Sequence, residues 1–251
     1  MLNLITPNWS APQHIKAFST TRINGVSDGA YRGLNLGLHV KDDPSLVLQN
    51  RNLLTEQLAL KEPLCWLNQT HSTLLLKLDA QSEQNYEADA SWSTQKEVAC
   101  VVMTADCLPV IITDKKGSFV SAIHAGWRGL CDGIIEKTVN QICSDIDVES
   151  SELLIWLGPC IGKTAFEVGC EVKDEFIAHD AKSESAFIVH KDRYLADLQQ
   201  LARLRLAPFN VAEITASHHC TFSEPDLFYS YRRDGKTGRM ATLIYIRDLK
   251  L

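Results

Sequence analysis

The stretch TADCLPVIITDKKGSFVSAIHAGWRG, residues 104–129, contains two apolar runs that a short polar turn separates. LPVIIT (108–113) and SFVSAIH (118–124) are rich in β-branched and aromatic residues, which predicts two strands. The stretch also carries Cys107 and His124, each at one end of an apolar run. They are either buried core residues or members of a metal-binding or catalytic site. The rest of the sequence is needed to distinguish these two interpretations.

Further strands and helices are predicted on both sides of this stretch. Strand-like apolar runs occupy residues 14–22, 63–67, 73–78, 98–104, 152–158, 211–216 and 241–246. Helical spacing predicts a helix of about 16 residues that Asp43 caps and Pro44 opens, and helices over 129–143, 172–178 and 194–206. Strands thus come in runs with interspersed helices, which indicates an α+β fold with mixed sheets. Because the chain has no repeat or linker, we expect a single domain over residues 1–251.

Composition and charge exclude several classes of protein. The 251 residues are 45% hydrophobic and 22% charged, which is ordinary for a globular protein. The net charge of −6 argues against a nucleic-acid partner, which normally requires a basic face. No apolar run is long enough to cross a membrane, and the N-terminal residues lack a signal-peptide pattern, so we expect a cytoplasmic protein without a membrane partner. Its eight cysteines contain no C-x-x-C pair and are expected to be mostly thiols.

Three residues that could ligate a metal stand at the ends of apolar runs. His71 follows the run 63–67, Cys107 follows 98–104, and His124 closes the second strand of the opening stretch. Strand ends can meet at one edge of a sheet, and two imidazoles with one thiolate suit zinc. Three protein ligands leave a fourth position open, as catalytic zinc sites do. Taken singly, each residue is more often structural, so the residues alone leave both interpretations open.

Two arginines are candidates for binding an anion. Arg128 lies in HAGWRGL at the start of a predicted helix, where free N–H groups favour negative charge. Arg22 lies beside the Gly-rich segment NGVSDGAYRGLNLG, residues 24–37. Each could hold a phosphate or carboxylate with its planar guanidinium. Alternatively, Arg128 forms a surface ion pair and Arg22 braces the loop.

A set of blocks in the chain resembles the bacterial YfiH family, also known as the laccase-domain or polyphenol oxidase family. The blocks occur in the family's order over residues 18–246, and their joint occurrence is specific. They are STTRINGVSDGAYRGLNLG, NQTHS, EADASWST, TADCLPVII, AIHAGWRGL, GPCIG, FEVG and FYSYRRDGKTGRMA.

The resemblance implies a single-domain fold of β-sheets sandwiched by helices. It also implies a zinc site in which His71, Cys107 and His124 are both the ligands and the catalytic residues. Its implied activities are phosphorolysis of adenosine, inosine, guanosine and methylthioadenosine, and deamination of adenosine. One departure is that the family's Gln-Val-His-Gly reads Gln69-Thr70-His71-Ser72 here, which retains the ligand but changes its loop.

Other functions remain as alternatives. A cysteine hydrolase would use Cys107 as nucleophile and His124 as base, and an amidase that edits peptidoglycan precursors would suit the same site. Copper polyphenol oxidation is less favoured because the eight histidines include no His-x-His pair. A non-enzymatic interaction module would explain none of the three candidate ligands.

Some individual residues also have two interpretations. For deamination, Asp106 is the first candidate carboxylate, although it could merely cap the turn before Leu108, and the H-x-E and P-C-x-x-C motifs of nucleobase deaminases are absent. Cys160 and the run His218-His219-Cys220 are interpreted as structural. RRDGKTGRM is predicted to form an Asp-Gly hairpin turn whose basic flanks contact an anionic ligand or solvent.

Overall fold

The computed structural model describes residues 1–60, 63–84 and 86–248. In chain order, the strands are β1 (Leu4–Ile5), β2 (Ile15–Thr20), β3 (Leu75–Lys77), β4 (Ala90–Ser93), β5 (Cys100–Thr104), β6 (Leu108–Asp114), β7 (Val120–Ala125), β8 (Leu153–Leu157), β9 (Glu167–Val168), β10 (Phe187–His190), β11 (Arg193–Ala196), β12 (Glu213–Ala216) and β13 (Met240–Ile246). The α-helices are α1 (Pro44–Leu58), α2 (Trp127–Cys131), α3 (Ile134–Ile146), α4 (Cys170–His179), α5 (Leu198–Leu206) and α6 (Tyr231–Asp234).

The two strands of the opening stretch, β6 and β7, lie at the centre of a six-stranded sheet in the order β12-β8-β6-β7-β4-β3. They pair antiparallel, with Pro109 opposite His124. The outer pairs β12–β8 and β3–β4 are parallel, so the sheet is mixed as predicted. Every residue of β6 and β7 is buried, because the sheet is covered on both faces.

A second sheet has four antiparallel strands in the order β1-β2-β13-β5. It packs on the first sheet through apolar side chains such as Val102 and Ile244, which share a cluster with Ile111 and Trp156. Along β5, the alternate residues Val101 and Met103 face the other way. They pack with Leu54 and Leu58 of α1, as the two-residue period of a strand requires.

Helices cover the opposite face of the six-stranded sheet. Ile135 and Val139 of α3 and Leu201 of α5 pack in one cluster with Val110 and Ile123 of the central strands. The resulting order of layers is helix, sheet, sheet, helix, and a small sheet of the order β10-β11-β9 stands beside them. The prediction of an α+β fold with mixed sheets sandwiched by helices is therefore confirmed.

Local predictions differ from the structure at several places. Residues 63–67 form no strand, since the N–H of Trp66 bonds the Gln84 side chain rather than a neighbouring strand. The predicted helix 129–143 is two helices, because Gly133 adopts a φ of 85° between α2 and α3. Tyr194 belongs to β11, and the helix predicted from that residue begins only at Leu198.

Two further points concern the chain as a whole. Among the described residues, no helix is both long and apolar enough to span a membrane. The prediction of one domain over residues 1–251 extends past residue 248, the last that the structure describes.

Candidate metal centre

The structure brings His71, Cys107 and His124 together, although they are distant in sequence. One ligand atom from each lies within 4.8 Å of the others. Cys107 Sγ is 3.8 Å from His71 Nε2, and the two imidazole rings meet edge to face with their centroids 4.8 Å apart. His124 is buried, Cys107 is partly buried and His71 is exposed, so the group is open to solvent on one side.

Each of the three side chains is placed by a short, defined piece of backbone. His124 is in β7, one residue before the strand ends at Ala125, and α2 begins at Trp127. Cys107 stands in the turn between β5 and β6, directly after Asp106, whose φ of 95° reverses the chain sharply. His71 itself adopts a left-handed φ of 62° in the loop before β3. The residue before that loop, Gln69, fixes it to β5 by exchanging two hydrogen bonds with the backbone of Met103.

Asp89, which the sequence did not point to, holds two of the three side chains in place. Its carboxylate is fully buried and accepts a hydrogen bond of 2.7 Å from His124 Nδ1. It also accepts from the backbone N–H groups of Thr70, His71 and Ser72 and from the Ser72 hydroxyl. Because Nδ1 of His124 is occupied, its Nε2 is the nitrogen left for a metal or a proton. The departure at Ser72 thus supplies an extra donor to the same carboxylate.

Charges and hydrogen bonds within the group shift the pKa values of Cys107 and His124 in opposite directions. Burial raises the pKa of Cys107, but the charge of His124 and hydrogen bonds from both histidines outweigh it and lower that pKa. Burial lowers the pKa of His124, while the Cys107 thiolate and Asp89 raise it above its usual value. A deprotonated thiol is the form that binds metals or acts as a nucleophile.

Gly126 has no side chain, and this leaves room for the side chains of His71 and Cys107. A β-carbon on this residue would lie 2.6 Å from the His71 ring and 3.2 Å from Cys107 Sγ. Its own backbone, with φ of −63° and ψ of 157°, is open to any residue, so glycine is required here for space and not for conformation.

Asp106 connects the turn that carries Cys107 to a distant part of the chain. Its carboxylate accepts hydrogen bonds from the hydroxyls of Thr221 and Ser230 and from the N–H of Arg232. These donors come from the segment between β12 and β13, and the carboxylate is 8% exposed. Asp106 therefore joins the Cys107 turn to that segment, and it also lines the cavity beside the candidate ligands.

A cavity of about 540 Å³ opens beside the three candidate ligands. Three arginines line it together with three aromatic side chains. These six residues are Trp127, Arg128, Phe166, Tyr231, Arg232 and Arg239. Within the described residues, the guanidinium of Arg128 makes no hydrogen bond or ion pair, and it stacks on the Trp127 ring at 4.3 Å. Arg239 contacts Tyr231, and Arg232 contacts Phe166. The cavity thus combines positive charge with flat apolar surface, and its volume suits a small ligand.

Arg22, the other arginine predicted to bind phosphate, lies outside this cavity. It lines a separate cavity along the Gly-rich loop, and its guanidinium donates to the carbonyls of Arg32 and Pro225. It also stacks on the Tyr229 ring. The structure thus places Arg22 away from the three candidate ligands, where its guanidinium joins the Gly-rich loop to Pro225.

The segment RRDGKTGRM contributes more than the sequence indicated. It contains α6 and a loop rather than a hairpin, because Ser230 caps a helical turn that Gly235 ends with a φ of 66°. Arg232 and Arg239 of this segment line the cavity. The basic residues on either side of Asp234-Gly235 were the sequence feature that could have indicated them. Asp89, by contrast, lies in the family block EADASWST, but no role in the site was predicted for it from the sequence. Among the described residues, the run His218-His219-Cys220 is not part of a group of three potential metal ligands.

Comparisons with known proteins cover almost the whole chain. A family model described as "Multi-copper polyphenol oxidoreductase laccase" matches residues 16–247. The chain is 47% identical over 246 residues to the purine nucleoside phosphorylase YfiH of Escherichia coli strain K12, with 98% of this chain and 100% of the relative covered. It is 46% identical to a purine nucleoside phosphorylase of Pseudomonas aeruginosa, with 97% and 98% covered.

Solved structures show the same relationship. A Neisseria meningitidis protein superimposes with a TM-score of 0.91 at 44% identity, over 98% of this chain and all of the other. YlmD from Geobacillus stearothermophilus gives a TM-score of 0.88 at 30% identity, over 98% and 99%. The predicted membership is confirmed: the protein belongs to the YfiH family, whose family model is described as a multi-copper polyphenol oxidoreductase laccase.

Proposed function

We propose that the protein is a zinc-dependent purine nucleoside phosphorylase that also deaminates adenosine. The observation that carries the proposal is the cavity that combines a three-ligand group with three arginines. Relatives that share almost half of the residues over nearly full length are named purine nucleoside phosphorylases, which supports the same reaction here.

The donor set of His71, Cys107 and His124 fits zinc. Zinc accepts imidazole nitrogen and thiolate sulfur, and a group of three protein ligands leaves a position for water or substrate. Asp89 supplies the carboxylate that commonly orients a zinc-binding histidine. When bound, zinc would supply Lewis acidity and neutralise negative charge in the cavity.

For phosphorolysis, the chain must place a phosphate oxygen against the anomeric carbon of the nucleoside ribose. A carbon–oxygen bond forms, the bond to the purine nitrogen breaks, and the purine leaves with a proton. Arg128 is our leading phosphate ligand because its guanidinium has no other polar partner among the described residues. Arg239 is half-buried, and within the part of the chain that the structure describes its guanidinium bonds backbone carbonyls through Nη1 alone, so its remaining N–H groups can share the phosphate.

The aromatic side chains supply a surface for the purine. Tyr231 is 61% exposed at the cavity, and Phe166 and Trp127 form other parts of the wall. Flat rings stack on a base without selecting one purine, which suits a range that includes adenosine, inosine, guanosine and methylthioadenosine.

Deamination requires a group that transfers protons as water replaces the amino group and ammonia leaves. The Asp106 carboxylate is occupied by its three donors. We assign the transfer to His39, which lines the cavity. Burial and the positive charges of Arg239 and Arg51 lower the pKa of His39, which favours the neutral form that accepts a proton.

The proposal is tested by measuring the metal content of the purified protein and its turnover of inosine with and without phosphate. Base release that requires phosphate, and ammonia release from adenosine, are the expected results. No turnover of any nucleoside, together with cleavage of a peptidoglycan precursor, would overturn the proposal.

The phosphate site has its own prediction. Arg128→Ala should raise the KM for phosphate about tenfold or more while the KM for inosine changes little, because one charge-assisted contact is lost. Arg22→Ala is the matched control and should leave the phosphate KM unchanged, because Arg22 braces a loop elsewhere. Steady-state kinetics at varied phosphate would contradict this assignment if the two variants behaved in the opposite way.

A cysteine hydrolase is the second candidate, and one observation favours it. The site contains a chain of hydrogen bonds that a cysteine hydrolase would use. Its nucleophile would be Cys107, its base His124 and its orienting carboxylate Asp89. Cys107→Ser separates the two candidates: loss of both zinc and activity is expected for a ligand, whereas loss of activity with full zinc retention identifies a nucleophile.

Copper oxidation, which the description of the family model names, fits the chain less well. Among the described residues, one group of three potential ligands is found, with two histidines and one cysteine. A multicopper centre needs many more imidazoles than this group offers.

We further propose that the protein works as a single cytoplasmic domain without nucleic-acid or membrane partners. All eight cysteines are free thiols, as in proteins of reducing compartments. The two large sheets share one inter-sheet cluster of apolar side chains, which favours one folding unit. The net charge of −6 disfavours anionic polymers and surfaces.

A further inference from the structure

A second pair of cysteines, outside the metal centre, lies across two adjacent chain segments. Cys160, just after β8, and Cys220, after β12, face each other in an isolated parallel bridge. The N–H of Thr221 donates to the carbonyl of Cys160 at 3.0 Å, which holds the two backbones at strand spacing. At such spacing the α-carbons are about 5 Å apart, within the range that a disulfide spans.

The two thiols are directed to the same side of this bridge. In a parallel pair, directly opposite residues project to one face, and so does the residue two positions along. The position of Gly162 agrees with this, since its N–H donates to Cys220 Sγ at 3.1 Å. A β-carbon at residue 162 would lie 3.0 Å from that sulfur, so glycine leaves room for the Cys220 side chain over the Cys160 strand.

The surroundings give the two thiols different reactivity. Burial raises the pKa of Cys220, but hydrogen bonds from the Ser223 hydroxyl and from the N–H groups of Gly162, Ser223 and Phe222 outweigh it and lower the pKa. Cys220 is also partly exposed. Cys160 is 2% exposed, and burial together with the charge of Asp197 raises its pKa. One thiol is therefore accessible and activated, and its neighbour is protected and protonated.

We propose that Cys220 and Cys160 form a peroxide-reactive pair, in which Cys220 is oxidised by a hydroperoxide and Cys160 then closes a disulfide. The Cys220 thiolate attacks the terminal peroxide oxygen, so that a sulfur–oxygen bond forms and the oxygen–oxygen bond breaks. The leaving oxygen takes a proton and departs as an alcohol, or as water from hydrogen peroxide. The Cys160 sulfur then attacks the resulting sulfenic acid, and hydroxide leaves with the Cys160 proton as water.

The site is separate from the candidate metal centre but adjoins it. Ile161 donates its N–H to the Asp106 carbonyl, and Thr221 donates its hydroxyl to the Asp106 carboxylate. Each cysteine is thus one residue from a contact with the turn that carries Cys107. The proposal concerns the chemistry of the pair itself and does not depend on the proposed nucleoside reaction.

The test is peptide mapping of the full-length, metal-loaded protein after exposure to one equivalent of hydrogen peroxide. Remaining thiols are blocked with N-ethylmaleimide before trypsin digestion and mass spectrometry. The expected product links peptide 138–163 to the peptide that contains Cys220, lacks two hydrogen atoms and separates on reduction. The Cys220 thiol should also disappear faster than the thiol of Cys170, which is exposed.

Variants identify the partners. Cys143 shares the tryptic peptide of Cys160, so Cys143→Ser is the matched control and should retain the link. Cys160→Ser should abolish the link and leave Cys220 as a sulfenic acid that dimedone traps. A wild-type map in which Cys220 stays unmodified, or is linked to a cysteine other than Cys160, would overturn the proposal even if the buried Cys160 variant failed to fold.

Discussion

At the scale of single residues, the candidate centre depends on side chains that are not ligands. Asp89 is the clearest case, since one fully buried carboxylate accepts a bond from His124 and from three consecutive backbone N–H groups around His71. Burial raises the pKa of Asp89, but its hydrogen bonds with His124 and Ser72 and the charge of His124 outweigh burial and lower that pKa to about 2. The negative charge of Asp89 favours a positively charged His124 ring, whether the ring carries a proton or binds a metal.

Replacing that carboxylate should weaken metal binding. Asp89→Asn removes the charge that orients His124, and we expect zinc affinity to fall about 10- to 100-fold. Competition with a chromogenic chelator measures it. Asp114→Asn is the control, because Asp114 is equally buried but accepts from Ser118 far from the ligands. Equal zinc affinity in both variants would contradict the role of Asp89.

Gly126 provides a second test at this scale. Gly126→Ala places a methyl group against the His71 ring and Cys107 Sγ, so we expect zinc affinity to fall about tenfold or more. The backbone at residue 126 accepts alanine, so the midpoint of thermal unfolding of the metal-free protein should change little. Unchanged zinc affinity in isothermal titration would show that the His71 loop adapts.

At the scale of elements, boundaries are where the structure departs from the sequence prediction. The apolar spacing of α3 was readable, and so were the β-branched runs of β5 to β8. The break between α2 and α3 was not, because the apolar pattern runs on across Gly133. Similarly, Tyr194 suits either a helix or a strand, and its pairing with Val168 of β9 decides for the strand.

The break at Gly133 gives a prediction about stability. Gly133→Ala forces an alanine into a φ of 85°, and we expect it to lower the free energy of unfolding by about 1–2 kcal/mol. Gly133→Asn is the matched control and should lose less, since asparagine tolerates this conformation better. Urea denaturation measures both, and an alanine variant as stable as the wild type would show that α2 and α3 can merge.

At the scale of the whole molecule, the buried core contains thiols that stay protonated in the fold. Burial raises the pKa of Cys100 to about 12 and that of Cys131 to about 11, and it also raises the pKa of the Tyr229 phenol. A group whose pKa is higher in the folded state stabilises the fold below its unfolded pKa. That contribution is lost as the pH rises toward the folded pKa.

The protein should therefore lose stability above about pH 9, where thiols ionise in the unfolded chain but not in the core. Each such thiol lowers the free energy of unfolding by up to about 1.4 kcal/mol per pH unit. Chemical denaturation between about pH 8 and pH 10.5 measures the slope. Cys100→Ala should reduce the slope of the free energy of unfolding against pH by the amount that corresponds to about one proton. A slope that is the same in both proteins would contradict this origin.

Several properties followed from the sequence alone because they depend on local chemistry or on a joint pattern of motifs. Apolar runs of β-branched residues specify strands, so the α+β class and the central pair β6 and β7 were predictable. The blocks around His71, Cys107 and His124 were sufficient to indicate the family. These features were predictable because they depend only on the residue types and on their neighbours in the sequence.

Only the tertiary structure decided which distant groups act together. It brought Asp89 under two of the candidate ligands, joined Asp106 to Thr221 and Ser230, and placed Arg239 in the cavity while leaving Arg22 outside. The physical reason is that these relations depend on how two sheets stack and where the loop between β12 and β13 closes over them. Hydrogen bonds between residues more than a hundred positions apart leave no periodic signal in the sequence.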